Sequence, residues 1–134
     1  MALEQTLIVI KPDGFRRHLT GKILARFEEK GFELRNLKSY NFTKEKAQEF
    51  YSVHKDRPFF DDLLSFIISG TVVACVLEGN NAVNTVRLMI GSTKSSEAAP
   101  GTIRGDYGLG FTDNIIHASD SSESFIKESR VIFG

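Results

Sequence analysis

The sequence predicts an α+β fold: a ferredoxin-like β-α-β-β-α-β order forming a four-stranded antiparallel sheet, with an inserted helix pair and a long loop before the last strand. Three observations carry this reading. Short apolar runs rich in β-branched residues recur at 7–10, 72–77 and 115–116, as strands require. Segments with apolar residues at helical spacing alternate with them. Finally, the 23 residues from Gly91 to Asp113 show no periodicity at all. The helices are expected to pack on one face of the sheet.

Residues 5–11 read as a buried strand that Pro12, Asp13 and Gly14 end abruptly. Thr20 is a candidate N-cap for a helix with Ile23, Leu24 and Phe27 on its apolar face, stopped by Gly31. Residues 32–42 read as a second strand. Thr43 can cap a short helix facing inward through Ala47, Phe50 and Tyr51, and the run from His54 to Pro58 breaks it. A helix from about Phe60 to Ser69 is apolar on more than one side, with Phe60, Leu64 and Ile67 on one face and Phe59, Leu63 and Phe66 on another.

Residues 71–77 lack alternation, so they predict a central strand covered on both faces, turned by Glu78, Gly79 and Asn80. Residues 81–90 form a helix with Val83, Val86 and Ile90 inward and Arg87 at the margin. The stretch 91–113 follows, and a structureless segment of that length inside a compact domain is usually functional. Asn114, Ile115 and Ile116 then carry His117 to a strand end. The closing helix spans about Ser121–Arg130, with Asp120 and Glu123 as its capping pair, Phe125 and Ile126 inward and Glu128 in its last turn.

With 134 residues the chain is expected to be one domain, 1–134, able to bury a core without covalent staples. Lys+Arg and Asp+Glu balance at 17 each, which removes any global reason for polyanion binding and makes a nucleic-acid partner unexpected. A lone cysteine, Cys75, forbids an intrachain disulfide and reads as core. The apolar run Leu7–Ile10 is too short for a signal segment or a membrane span, so a soluble cytoplasmic protein is expected.

Several familiar motifs fail on inspection. Gly14, Gly21 and Lys22 have six intervening residues where a phosphate loop has four, and Ile23 stands where Ser or Thr belongs. His18, His54 and His117 have no metal-ligand spacing. Two candidates survive. Lys11, a charge at a strand's carboxyl end, is either a snorkelling lysine or a phosphate or hydroxyl donor. His117, at a strand-to-helix junction, is either packed at a strand end or a nucleophile for phosphoryl transfer.

Four segments go further: Ile10-Lys11-Pro12-Asp13, the stretch 54–60, Gly101-Thr102-Ile103-Arg104-Gly105-Asp106, and Asn114 through Asp120. In this order and spacing the chain resembles the nucleoside diphosphate kinases along essentially its whole length. The resemblance implies ping-pong transfer of a γ-phosphoryl group from a nucleoside triphosphate, typically ATP, to a nucleoside diphosphate through a phosphohistidine at His117. It implies that Glu128 orients the ring with support from Ser119. Arg87, Thr93 and Arg104 would grip phosphates, and Lys11 and Tyr51 would act near the transferred group. Lys11 and Asn114 would also reach the ribose, with His54 near the phosphates. Phe59 would stack on the base beside Leu63, with Phe111 on the ring's other side.

Magnesium is implied, held by phosphates and water rather than by assigned protein ligands. A dimer-based homo-oligomer, tetramer or hexamer, is also implied. The chain departs from the family pattern at Ala118, where glycine is usual, at Ser95, where proline is common, and in ending at Gly134 without the extension of longer members. The resemblance leaves open whether Ala118 costs anything, since that depends on its φ.

Overall fold

Strand β1 (Leu3–Ile10) is the hub of the computed structural model, which describes residues 3–134. It pairs along its whole length with β3 (Val72–Asn80), from Leu3 opposite Asn80 to Ile10 opposite Val73. On its other edge, Ile8, Val9 and Ile10 pair with Ala118, His117 and Ile116 of the short strand β4 (Ile116–Ala118). Strand β2 (Glu33–Tyr40) lies beyond β3, giving the order β2-β3-β1-β4 with every pair antiparallel. This is the expected sheet.

Seven helices connect and cover these strands among the described residues. A short helix the sequence did not announce, α1 (Pro12–Arg16), starts directly after β1, with Pro12 at the first helical position where its fixed φ fits. Helix α2 (Thr20–Lys30) ends at Gly31 with φ 116°, a left-handed stop that suits glycine. Thr20 is not its N-cap, however. Leu19 holds that place, and the Thr20 hydroxyl is buried without a hydrogen-bond partner. Helix α3 (Lys44–Phe50) is capped as expected by Thr43, whose hydroxyl accepts the Lys46 N–H at 3.1 Å.

Helix α4 (Phe60–Ile68) follows a turn of 3₁₀ helix at Ser52–His54. Strand β3 continues through Glu78, Gly79 and Asn80, where a turn was expected, because Gln5, Glu4 and Leu3 of β1 offer them partners. In α5 (Ala82–Ile90) the inward residues are Ala82, Val86 and Ile90, and Val83 is only half-buried. The long loop is not structureless: it holds a 3₁₀ turn at Ser95–Glu97 and helix α6 (Ile103–Tyr107), started by the Thr102 hydroxyl accepting the Gly105 N–H.

The closing helix α7 (Ser122–Phe133) also corrects the sequence reading. Ser121 is its cap, accepting the Ser124 N–H, while Asp120 accepts the Ser124 hydroxyl instead of forming a pair with Glu123. The helix runs on to Phe133, and burial of Val131 and Ile132 turns that side inward. Ile126 is consequently half exposed, and Glu128 lies in the helix interior, buried.

Alternation along β1 and β3 divides the core in two. Ile8, Ile10, Cys75 and Leu77 pack with Ile23 and Phe27 of α2, Val86 and Ile90 of α5, and Ile103, Ile115 and Ile116. Leu7, Val9, Ala74 and Val76 pack on the opposite face with Phe50, Leu64, Ile67, Val131 and Ile132. Helices therefore cover both faces rather than one. The inserted pair α3 and α4, together with α7, builds the second layer. Lys11 and His117, in line with Val9, belong to this second face. Among the described residues no helix is long and apolar enough to cross a membrane.

Truncating Phe27, fully buried, to alanine is expected to lower unfolding free energy by about 3–5 kcal/mol. The same change at Ile126 should stay within about 0.5 kcal/mol, because that side chain reaches solvent. Urea denaturation of the two variants checks both values.

Candidate active site

Register brings the site together. His117 stands opposite Val9, two residues before Lys11, so the strand carrying the imidazole delivers it beside the lysine at the end of β1. The ring packs edge-on against Phe50 and Tyr51, with centroids 4.9 and 6.2 Å away. Its Nε2 lies 2.8 Å from Oε1 of Glu128 on α7, and the same oxygen accepts the Ser119 hydroxyl at 2.7 Å. A carboxylate can only accept here, so the imidazole presents Nε2–H to it. That leaves the lone pair on Nδ1.

Two arginines flank the histidine. Strand β4 has a neighbour on one side only, and the carbonyls on either side of His117 are taken by guanidinium groups. Arg104 donates to the Ile116 carbonyl at 2.6 Å and to the Gly91 carbonyl at 3.1 Å, and Arg87 donates to the Ala118 carbonyl at 3.1 Å. Arg104 is buried, and desolvation together with the nearby Arg87 charge lowers its pKa to about 10.

Lys11 is likewise buried. Its Nζ donates to Oδ1 of Asn114 at 2.8 Å and to the Thr112 carbonyl at 3.3 Å, while Asn114 donates onward to the Thr93 carbonyl at 2.8 Å. Burial, with Arg104 in second place, lowers the Lys11 pKa to about 7. Burial also raises the Tyr51 phenol well above its ordinary value and, with the Arg57 charge, lowers His54. Tyr51 thus stays a neutral hydrogen-bonding group.

These residues line one cavity of about 320 Å³. His117, Glu128, Lys11, Tyr51, His54, Phe59, Leu63, Arg87, Thr93, Arg104, Phe111 and Asn114 all reach it, and of the residues picked from the sequence only Ser119 does not. Ser119, wholly buried, stands behind Glu128. Aromatic rings form the lip: Phe59 lies 5.6 Å from His54 and 5.5 Å from Phe111, the latter pair at 72°. Val53, Asp120 and Ser124 also line the cavity and were not singled out as site residues. Asp120 had been read only as a cap. Ala118 is absent from the described non-glycine residues with positive φ, so alanine is accommodated there without backbone strain.

Cationic groups, an aromatic lip and a carboxylate-held imidazole at one end of an α+β sheet mark the class of proteins whose cleft chemistry suits phosphorylated, ring-bearing ligands. Comparison with known proteins is more specific. The nucleoside diphosphate kinase family profile matches residues 4–134. A nucleoside diphosphate kinase of Staphylothermus marinus is 55% identical over 133 residues, covering 99% of this chain and 94% of the relative. The crystal structure of the Aquifex aeolicus nucleoside diphosphate kinase superposes with a TM-score of 0.97 at 51% identity, covering 99% of this chain and 96% of that one. The Halobacterium salinarum enzyme, solved in complex with CDP, gives 0.95 at 44% identity, with 98% and 88% covered. The chain belongs to the nucleoside diphosphate kinase family.

A lowered Lys11 pKa has a measurable sign. Phosphate bound beside Lys11 would restore the pKa of its buried ammonium, so above pH 7 such binding would take up a proton, and at pH 8 ADP itself has almost none left to release. Calorimetry with ADP at pH 8, in buffers of different ionisation enthalpy, should show net uptake approaching one proton. Lys11→Met should abolish it.

Proposed function

We propose that the protein is a nucleoside diphosphate kinase acting by ping-pong phosphoryl transfer through His117, with residues 1–134 as one catalytic unit. The observation that carries this reading is the Glu128–His117 contact of 2.8 Å inside a cleft with three cationic side chains. With Nε2 held, Nδ1 of a neutral imidazole attacks the γ-phosphorus of a nucleoside triphosphate. The P–N bond forms, the bond from phosphorus to the β,γ-bridging oxygen breaks, and the diphosphate leaves. A second nucleoside diphosphate then attacks the phosphohistidine through a terminal β-phosphate oxygen, returning the histidine.

The remaining assignments follow the chemistry of each group. Arg87 and Arg104 offer planar forks to phosphate oxygens, and Thr93 adds a hydroxyl. Lys11 and Tyr51 serve the transferred phosphoryl group, where charge spreads over equatorial oxygens in a loose transition state. Lys11 and Asn114 also serve the ribose hydroxyls, and His54 lies toward the phosphates. Phe59 and Leu63 receive the base opposite Phe111, and stacking without edge-reading contacts accepts any base. Magnesium supplies charge neutralisation on the nucleotide phosphates. Among the described residues no cluster of His, Cys, Asp and Glu suits a metal, while the cleft's cations suit phosphate, so the ion would ride on phosphate oxygens and water. We also propose a homo-oligomer built from dimers, a tetramer or hexamer. Exposed apolar side chains, Leu37 on the edge strand β2 and Leu88 on α5, support further burial, and light scattering gives the copy number.

Incubation with γ-labelled ATP and magnesium should place acid-labile, base-stable label on the protein, which GDP or dCDP then discharges as triphosphate. His117→Ala should take none, and Glu128→Ala should label about 100-fold more slowly. Unlabelled wild-type protein that still binds ATP would mark a nucleotide sensor instead. Phe111→Val removes one ring of the lip and should lower kcat/KM for purine diphosphates about three- to tenfold more than for pyrimidines, since the larger base loses more stacking area.

A further inference from the structure

Ile115, two residues before His117, has φ 75°, a conformation that β-branched residues avoid. The Asn114 carbonyl accepts the Ile116 N–H at 2.9 Å, closing a γ-turn of the rare, strained hand centred on Ile115. Every other polar contact of that residue runs to the segment after β1. Its carbonyl accepts the Lys11 N–H at 2.8 Å, and its own N–H donates to Oδ2 of Asp13 at 3.1 Å. Gly14 completes the seat, because a Cβ there would stand 3.2 Å from the Ile115 carbonyl oxygen and 2.9 Å from Ile10 Cγ2. Ile115 itself is wholly buried, and the other Asp13 oxygen, Oδ1, is buried with no hydrogen-bond partner. Burial raises the Asp13 pKa although backbone N–H groups of Ile115, Gly14 and Asp13 itself and the Lys11 charge favour the carboxylate, and of these Ile115 is the partner distant in sequence whose N–H bond ties the carboxylate to the strained turn.

We propose that Asp13 is a positioning residue: it clamps the strained Asn114–Ile116 turn and thereby sets the imidazole of His117 at hydrogen-bonding distance from Glu128. This rests on the phosphohistidine reading above. The leverage is geometric. If the Ile115 N–H loses its acceptor, φ can relax to negative values. The peptide leading into β4 then rotates, and the Nε2 contact of 2.8 Å has little slack. Asn114, whose side chain holds Lys11, sits at the opposite end of the same turn. One carboxylate thus fixes the nucleophile and the lysine relative to each other without lining the cavity.

The test combines Asp13→Ala, Asp13→Asn and Ile115→Gly in the full chain. Asparagine keeps an oxygen that can accept the Ile115 N–H, and glycine adopts positive φ without strain. Asp13→Ala should slow His117 labelling at saturating ATP at least tenfold while changing KM less than threefold. It should also shift or broaden the downfield proton resonance of the His117 Nε2–H. Asp13→Asn should stay within threefold of the starting protein in rate and keep that resonance. In the Ile115→Gly background the alanine change should cost less than threefold. An undiminished labelling rate in Asp13→Ala would overturn the proposal, as would a tenfold loss that persists beside Gly at 115. So would an equal loss in Asp13→Asn, which would assign the carboxylate's charge, not its clamp, to Lys11. If Asp13→Ala does not fold, the double variant with Ile115→Gly decides: folding with labelling within threefold of Ile115→Gly alone supports the clamp, and a tenfold loss overturns it. If the unsubstituted protein takes no label, the phosphohistidine reading fails, and the Nε2–H resonance still judges the clamp.

Discussion

One oxygen, Oε1 of Glu128, joins the last strand to the last helix and sets the orientation of the imidazole between them. Two donors share it, the ring of His117 and the hydroxyl of Ser119, so the carboxylate is buried with partners rather than alone. The helix that carries it is anchored by Val131 and Ile132 in the second core layer. Apolar packing thus fixes the height of the carboxylate, and the carboxylate fixes the ring. The proposed chemistry depends on this chain of constraints, because transfer by a held nucleophile is chiefly a matter of position.

Concentrating positive charge beside that ring is unfavourable until an anion arrives. Burial lowers Lys11 to about 7, with the Arg104 charge adding to it, and lowers Arg104 to about 10, with the Arg87 charge adding to it. Backbone carbonyls soften the cost. Ile116, Ala118, Gly91 and Thr112 each present an oxygen to one of the three cations. Because two of these carbonyls belong to β4, the arginines are oriented by the strand that holds His117, where a further strand would otherwise pair. The edge of the sheet has become the floor of the phosphate site.

Much of this was legible in the residues. Unbroken apolar runs marked β1 and β3 because both are covered on two faces, and Gly31 and Thr43 act as the stop and cap that their chemistry suggests. Strand β4 was harder, being three residues long, and its role comes from partners distant in sequence. The helices α1 and α6, five residues each, are too short to show a period and rest on Pro12 and Thr102 instead. The second layer over the sheet was misjudged because helix order alone does not say which face each helix covers. Asp13 looked like turn punctuation. Only the positive φ of Ile115, invisible in a list of residue types, shows what its carboxylate holds. Of the proposed site residues only Lys11 and His117 stood out from the residues themselves, each with an alternative structural reading; the others came with the family resemblance, and the cavity gathers all of them but Ser119.

The hub position of β1 has a bearing on biosynthesis. Its partners, β3 and β4, both follow it in the chain, so β1 leaves the ribosome before either neighbour. While it waits, the side chains of Leu7, Ile8, Val9 and Ile10, all buried in the folded protein, lack the neighbours that cover them, and both hydrogen-bonding edges are open. Catalytic competence then arrives in one late step. Until the segment through Glu128 has emerged and docked, no partial product of translation carries an oriented histidine.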